Sequence, residues 1–436
     1  MEKYRNLKYP PVAFWEVTDQ CNHNCIHCFN YWRTDKAALA NSCPKSAEAY
    51  LEIGQKILER KPVRVIFTGG EPLIAFKQLK PVLKLLHDHQ INISFNTNVA
   101  LLTEEIAEFF AENRIGMFVS FPSCVPAEFD KIVDTPGAFD RVCNALELAK
   151  KHQLFFSFNM VVSRVNLNSI YSTAKFLKDR FNIRKLSVTR VSTPINAINR
   201  FEQYFLSPED LDKYMQQCVD VRRDLDIEIT AASPLTPCSI TSQDAFDLFA
   251  FSGGCEAGKT SYVISASGKV RACARDFEEY GDFLQEPFED IWARMAQWRD
   301  ETYIPTECKD CAHKSRCRGG CRVDGIVKNG RKDCLDHYSD TKRLPISFVK
   351  NPPYLPTWDY TTTFAVPESM HVVEEDVAVR LSYRSGYVFC TPGFASYLQQ
   401  VKSFSVDEFC NQFNVTLDDA RNILKHLYEN GIIYTV

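Results

Sequence analysis

The sequence has no uninterrupted apolar run approaching the ~18 residues of a membrane-spanning helix, so no membrane span is expected. It has no excess of one charge either. Its 51 basic and 55 acidic side chains leave a net charge of −4, which offers nucleic acid no bulk attraction. The N-terminus, MEKYRNLKYPPVAFWEV, places two prolines ahead of its first apolar run and has no small-residue cleavage site. No secretory signal is therefore expected, and the expected compartment is the reducing cytoplasm. Internal repeats and low-complexity tracts are also lacking. What the chain does not lack is cysteine, with 17 in 436 residues. In a reducing compartment such an excess argues for metal or redox chemistry rather than disulfides.

From Pro11 to about Thr193, short apolar strands alternate with helical stretches. The strands expected are Val12–Val17, Val63–Thr68, Ile91–Thr97, Gly116–Phe121, Leu154–Val162 and Lys185–Val191. Most are continuously apolar, the pattern of strands buried on both faces of a parallel sheet. Between them lie helical segments at Ala47–Arg60, Leu79–His89, Glu104–Asn113, Phe139–His152 and Ser169–Arg180, with a further helix at Pro208–Asp224. This is an α/β pattern, and alternation alone leaves a partial (β/α) barrel and an open doubly wound sheet both available. The expected division is a first domain over 1–230, a cysteine-rich domain over 231–343 and a linker over 344–367 carrying five prolines. A tail over 368–436 follows. There a hairpin around Tyr383–Gly386, three helices (Pro392–Lys402, Ser405–Phe413, Leu417–Asn430) and a closing strand at Ile432–Tyr434 describe a small winged-helix unit.

Just after the first strand stand Cys21, Cys25 and Cys28, spaced C-x3-C-x2-C and followed by Phe29. Three thiolates can hold a four-iron cluster while leaving one iron open to a chelating small molecule. Taken alone, the cysteines also allow a zinc site completed by His23 or His27. Gly69-Gly70-Glu71-Pro72, at the end of the second strand, weighs against zinc. Together these motifs resemble the radical S-adenosylmethionine (SAM) enzymes, and the resemblance implies a partial (β/α)6 barrel. It implies that the cysteine triad binds the SAM-ligating [4Fe–4S] cluster. It also implies that Gly69, Gly70 and Glu71 contact the methionine amino group. Asn98 at the third strand, Ser120 at the fourth and Arg190 at the sixth fall where the family places further SAM contacts. Parallel-barrel sites form at such C-terminal strand ends.

Downstream, Cys255-x12-Gly268-x4-Cys273 is followed by Cys308-x2-Cys311-x5-Cys317-x3-Cys321 and then Cys334. These seven cysteines resemble the SPASM extension of radical SAM enzymes, which implies two auxiliary [4Fe–4S] clusters and three clusters in all. By the family's interleaving, Cys308, Cys311, Cys317 and Cys334 hold the outer cluster, and Cys255, Cys273 and Cys321 the inner one. Cys238 is the candidate for the missing fourth inner ligand; a buried inert thiol is its other reading. Cys43, Cys124, Cys143, Cys218, Cys390 and Cys410 remain outside these sets, and Cys124 alone falls near the open end of the barrel.

The tail loosely resembles the winged-helix peptide-recognition modules of enzymes that modify ribosomally made peptides, though in that family the module is more often N-terminal. Residues 368–436 carry 5 basic and 9 acidic residues, which excludes a DNA reader. A purely structural cap is the other reading. The resemblance as a whole implies reductive cleavage of SAM to a 5′-deoxyadenosyl radical, which abstracts hydrogen from a precursor peptide, with an oxidative thioether, C–C or C–O cross-link as the outcome. It implies an electron donor such as flavodoxin or ferredoxin. The rivals are maturation of an anaerobic sulfatase and modification of a small molecule or tetrapyrrole. Sulfatase-maturing enzymes carry an acidic residue after the fourth-strand serine, where this chain reads Ser120-Phe121-Pro122-Ser123. No residue stands out as a general base.

Overall fold

The structure is a computed structural model, described here for all residues except 1–6, 31–44, 193–201, 234, 251–253, 344–347, 349–354, 377 and 385. Six parallel strands lie side by side in sequence order: β1 (Val12–Thr18), β2 (Arg64–Gly69), β3 (Asn92–Thr97), β4 (Gly116–Ser120), β5 (Phe156–Val162) and β6 (Lys185–Arg190). The sheet then grows at both edges. β7 (Glu228–Thr230) joins β6 in parallel, and β8 (Ser261–Ile264) joins β1 in parallel. Two antiparallel strands, β9 (Lys269–Arg271) and β10 (Glu279–Asp282), complete a ten-stranded sheet. The cysteine-rich region is therefore continuous with the barrel's own sheet.

The crossovers are α1 (Ala47–Glu59), α2 (Phe76–Asp88), α3 (Glu104–Glu112), α4 (Pro126–Val133), α5 (Ala138–Lys151), α6 (Ile170–Phe181) and α7 (Pro208–Leu225). Their starts follow from local chemistry. Ser46 and Thr103 accept hydrogen bonds from Ala49 and Ile106, and Ser207 with Asp210 forms a capping box. The unexpected helix, α4, has only eight residues and begins at Pro126, whose missing N–H costs nothing at a first helical position.

The central strands are not buried evenly on both faces. In β3, Ile93, Phe95 and Thr97 are buried while Asn92, Ser94 and Asn96 are only half-buried, and β4 and β5 alternate in the same way. Register carries one face across the sheet: Asn96 pairs with Phe118, and Ser120 with Asn159, which in turn pairs with Ser187. The opposite face, with Phe67, Phe95, Val119 and Phe158, belongs to one continuous apolar core. The sheet thus keeps an oily exterior under its helices and a polar, partly accessible interior.

The tail has its own core around Phe364, Leu381, Phe409 and Leu424. It contains β11 (Thr363–Ala365), β12 (His371–Glu374), β13 (Val379–Tyr383), β14 (Gly386–Cys390), α8 (Pro392–Gln400), β15 (Ser403–Ser405), α9 (Val406–Phe413), α10 (Leu417–Glu429) and β16 (Tyr434–Thr435). The strands form two three-stranded sheets, β12-β13-β14 and β15-β11-β16. The expected hairpin and three helices are present. Strands β11, β12 and β15 are additional, and β11 lies inside the stretch read as linker.

The tail docks through buried polar groups. Arg380, 1% exposed, donates to the carbonyls of Tyr9 and Lys61 at 2.5 Å each. Glu375 accepts from the backbone N–H groups of Lys8 and Tyr9 at 2.9 and 3.1 Å. Those partners precede β1 and β2, so the tail sits at the N-terminal end of the strands. The cysteine loop lies at the other end.

Candidate active site at the C-terminal strand ends

The chain leaves β1 at Thr18 and turns at once into the cysteine loop, and the glycines after β2 are what let it do so. Gly70 N–H donates to the Thr18 carbonyl at 2.7 Å, and Glu71 N–H to the Gln20 carbonyl at 2.8 Å. A Cβ on Gly70 would stand 2.0 Å from the Gln20 oxygen, and one on Gly69 2.2 Å from the Thr18 oxygen. Gly69 also has φ +127°, which side-chain-bearing residues rarely adopt. Further along, the N–H groups of Asn24 and Ile26 bond to the carbonyls of Val133 and Ile132 at the end of α4. The loop is therefore clasped by backbone on two sides, and Cys21, Cys25 and Cys28 remain partly accessible.

Glu71 is 1% exposed and links the ends of β2 and β3. Its carboxylate accepts from Thr97 Oγ1 (2.6 Å) and from the N–H groups of Leu73 (3.1 Å) and Asn98 (2.8 Å). Burial nonetheless pushes its pKa up to about 7 against those three bonds. A buried carboxyl poised this way is ready to compensate a cation. The Asn98 side chain donates to Asn22 Oδ1 at 2.8 Å and lies 3.8 Å from Cys21 Sγ. Asn30 donates to the Gly69 carbonyl at 2.8 Å. Ser120 is exposed at the end of β4, beside Asn159, whose Oδ1 accepts from Thr189 Oγ1 at 2.9 Å. Asn159 and Thr189 were missed in the sequence; their alternation with buried neighbours was the available signal.

Arg190 requires a correction. It was expected to reach SAM, but its register partner is Val162, on the oily face of the sheet. It is 1% exposed and its guanidinium bonds to Asp324 (2.7 Å) and Asp336 (2.9 Å), with the Tyr338 ring 4.5 Å away. Arg275 extends this chain of charge, donating to Asp324 at 2.6 Å and to Cys321 Sγ at 3.2 Å. Although burial opposes its charge, Arg275 and Arg190 hold Asp324 ionised well below the usual carboxylate range. Asp336 also accepts from the Cys321 N–H at 2.8 Å. A buried ionic network thus ties the end of β6 to a cysteine of the second group.

Cys238, the candidate fourth inner ligand, has neighbours in the other thiol set. Burial pushes the Cys308 thiol up to about 11 and Cys317 up to about 12, and in both cases Cys238 is a contributing neighbour. Cys273, raised to about 11, has Cys255 as its neighbour, and Cys321 has Cys273. Cys238 thus neighbours Cys308 and Cys317, while Cys273 neighbours both Cys255 and Cys321. A tight turn adjoins Cys238. Gly319 and Gly320 both take left-handed φ, and the space beside Gly320 is filled by Thr236 and Asp336, which brings the Pro237–Ser239 turn to the Cys317 side. Cys334 follows the helix Arg322–Asn329, with its carbonyl against Gly325.

Among the described residues, no three His, Cys, Asp or Glu side chains draw together as tightly as a single ion requires. A four-iron cluster does not ask for that, because each cysteine holds a different iron. An accessible three-thiol loop and two thiol sets in a protein with no described disulfide fit such clusters. The raised thiol pKa values mean that loading iron must expel protons.

The models of two protein families match the chain. The radical SAM superfamily matches residues 15–177, and the SPASM iron–sulfur cluster-binding domain matches residues 255–312. The AdoMet-dependent heme synthase of Methanosarcina barkeri is 26% identical over 340 residues, covering 74% of this chain and 93% of that protein. A cysteine-type anaerobic sulfatase-maturating enzyme of Clostridium perfringens is 22% identical, covering 72% and 89%. Among solved structures, Streptococcus suis SuiB bound to its precursor peptide SuiA superposes with a TM-score of 0.62 at 18% identity, over 78% of each chain. At that identity the likeness is one of fold. The chain carries a radical SAM domain joined to a SPASM iron–sulfur domain, and it is an enzyme of the radical SAM kind.

Proposed function

We propose that this enzyme is a maturase of a ribosomally made peptide. The observation that carries the reading is the tail, a unit with its own core anchored at the end of the barrel away from the cysteine loop. The heme synthase aligns along 93% of its own length with 74% of this chain, so about a quarter of this chain has no counterpart there. A unit with its own core, anchored away from the cysteine loop, suits substrate recognition, as a winged-helix-like module would provide. The solved relative bound to a precursor peptide supports the same class of substrate.

Cys21, Cys25 and Cys28 would hold the SAM-binding cluster, Cys308, Cys311, Cys317 and Cys334 the four irons of one auxiliary cluster with Cys238 beside it, and Cys255, Cys273 and Cys321 three irons of the other. When bound, the first cluster and SAM supply a 5′-deoxyadenosyl radical and the auxiliary clusters an electron acceptor, the chemistry being the cofactors' own. The chain's residues orient and enclose. Gly69 and Gly70 let the loop close on β2. The Glu71 carboxylate offers the compensating charge for an ammonium, and Asn98 steadies Cys21 and Asn22. Ser120 and Asn159 line the polar interior where a substrate segment would lie. Arg190 locks the second cysteine region to the barrel, and a flavodoxin or ferredoxin would deliver the electron.

A second reading, modification of a tetrapyrrole, is favoured by the heme synthase similarity. After anaerobic reconstitution, about twelve irons per chain are expected, four for each of three clusters. Cys25→Ala should abolish 5′-deoxyadenosine formation. Mass spectrometry of a precursor peptide encoded beside the enzyme should show loss of hydrogen after turnover. Turnover of a tetrapyrrole with no change in the peptide would overturn the proposal in favour of the second reading.

A further inference from the structure

Between the tail and the N-terminal end of the barrel, beyond the Arg380 anchor, the surface opens into a cleft of about 1260 Å³. Its floor is the start of β3, β4 and β5, including Ile91, Met117 and Phe156. One wall is the end of α2 and α3, with Arg114. The other belongs to the tail, with His371 and, in the β13–β14 turn, Arg384. His371 Nε2 meets Gln90 Oε1 at 3.2 Å and bridges the two walls. Phe155 borders this cleft and is 72% exposed.

Three arginines line the cleft (Arg64, Arg114 and Arg384) against one carboxylate, Glu112. Arg64 is bonded to Asn92. Among the described residues neither Arg114 nor Arg384 has an acidic partner, although many exposed arginines elsewhere do, such as Arg164 with Asp210 and Arg180 with Glu147. Arg114 follows the end of α3, where a basic residue serves the helix dipole. Arg384 has no such duty, because it lies in a hairpin turn with φ +52°. The volume exceeds the ~300–1,000 Å³ of usual small-molecule pockets, and the cleft mixes basic rims with an apolar floor. The chain's own segments outside the described residues do not complement it, since 1–6, 31–44, 193–201 and 349–354 each carry one more basic than acidic side chain.

We infer that this cleft binds an acidic, extended peptide segment with at least one apolar side chain for the Phe155 floor. The inference rests on the peptide-maturase reading and deepens it, because it places the recognition segment of the substrate at the seam rather than in the barrel's interior.

The test uses the full-length, reconstituted enzyme and a short fluorescein-labelled peptide of alternating glutamate and leucine, with a lysine–leucine peptide as control. Fluorescence anisotropy should show binding of the glutamate peptide that weakens with salt, and little binding of the lysine peptide. Arg114→Asp with Arg384→Asp should weaken it at least about tenfold, equivalent to ~1.4 kcal/mol. Aspartate tolerates the left-handed backbone at both positions, and iron content and melting temperature report folding. Phe155→p-benzoylphenylalanine should photo-crosslink to the glutamate peptide, a result independent of the charge reversal. Equal binding of both peptides, or affinity unchanged by the reversal, overturns the inference. These readouts need no turnover. An enzyme that modifies its peptide yet fails them refutes the cleft alone, and one that passes them but turns over only a tetrapyrrole refutes the maturase reading.

Discussion

The two cysteine-bearing regions are built by opposite means. The first loop is held by backbone: two glycines at the end of β2, and carbonyls of α4 that receive the loop's N–H groups. The second is held by buried charge, with Arg190, Asp324, Arg275 and Asp336 running from the end of β6 to Cys321. Backbone clasps leave the first three thiols open to a small ligand. Buried ion pairs are a costly way to join two regions unless every partner is present. The difference suits the proposed function, in which the first site would admit SAM and the second would hold its clusters in place.

The sharpest way to break this comparison is Arg190→Met. It would leave buried Asp336 without its cation and Asp324 with Arg275 alone, a loss of ~3–5 kcal/mol, read as a large fall in melting temperature and loss of auxiliary iron. If auxiliary iron and stability survive, the second region is not held by charge. Gly70→Ala attacks the other side. Its Cβ would meet the Gln20 carbonyl at 2.0 Å, and relieving that overlap should cost ~1–3 kcal/mol. Iron should fall by about four per chain, one cluster's worth, with the auxiliary signals intact. Loss of all iron would show that the two regions fold as one.

The smallest effect concerns pH. The raised pKa of Glu71, about 7, means that the neutral carboxyl is favoured in the folded, SAM-free protein. Its contribution to stability is therefore present below the ordinary carboxylate range and is lost as pH rises through 7. An ammonium needs the ionised form, so SAM affinity should rise as pH climbs through 7. Calorimetry in buffers of different ionisation enthalpy should detect protons released on binding. A Glu71→Gln enzyme with the same pH dependence would show that Glu71 is only a structural clasp.

The geometry of the first region was legible in part, since the glycine pair after β2 does lie against the loop that leads to Cys21. The six βα repeats were plain, with Val12, Gly116 and Lys185 starting strands where expected. Arg190 was misread because a strand end fixes a residue's height but not its face; only the Val162–Arg190 register does that. The surroundings of Cys238 were out of reach for a similar reason. They depend on the Gly319–Gly320 turn and on Thr236 against it, a contact between residues some eighty positions apart. The edge strands β8–β10, short and broken by turns, gave no periodic run long enough to announce that the cysteine region continues the barrel's sheet. The docking of the tail was invisible too, because nothing in the sequence connects Arg380 and Glu375 with Tyr9 and Lys61.

The tail's position at the far end of the strands also acts as a ruler. β1 spans seven residues, about 23 Å at ~3.3 Å per residue. A peptide gripped at the tail's end and reacting at the cysteine loop's end must run at least that distance, and farther where it rounds a helix. A fully extended chain covers at most ~3.3–3.6 Å per residue. The barrel's own height therefore sets a minimum of about seven residues between the part of a substrate that is held and the part that is changed.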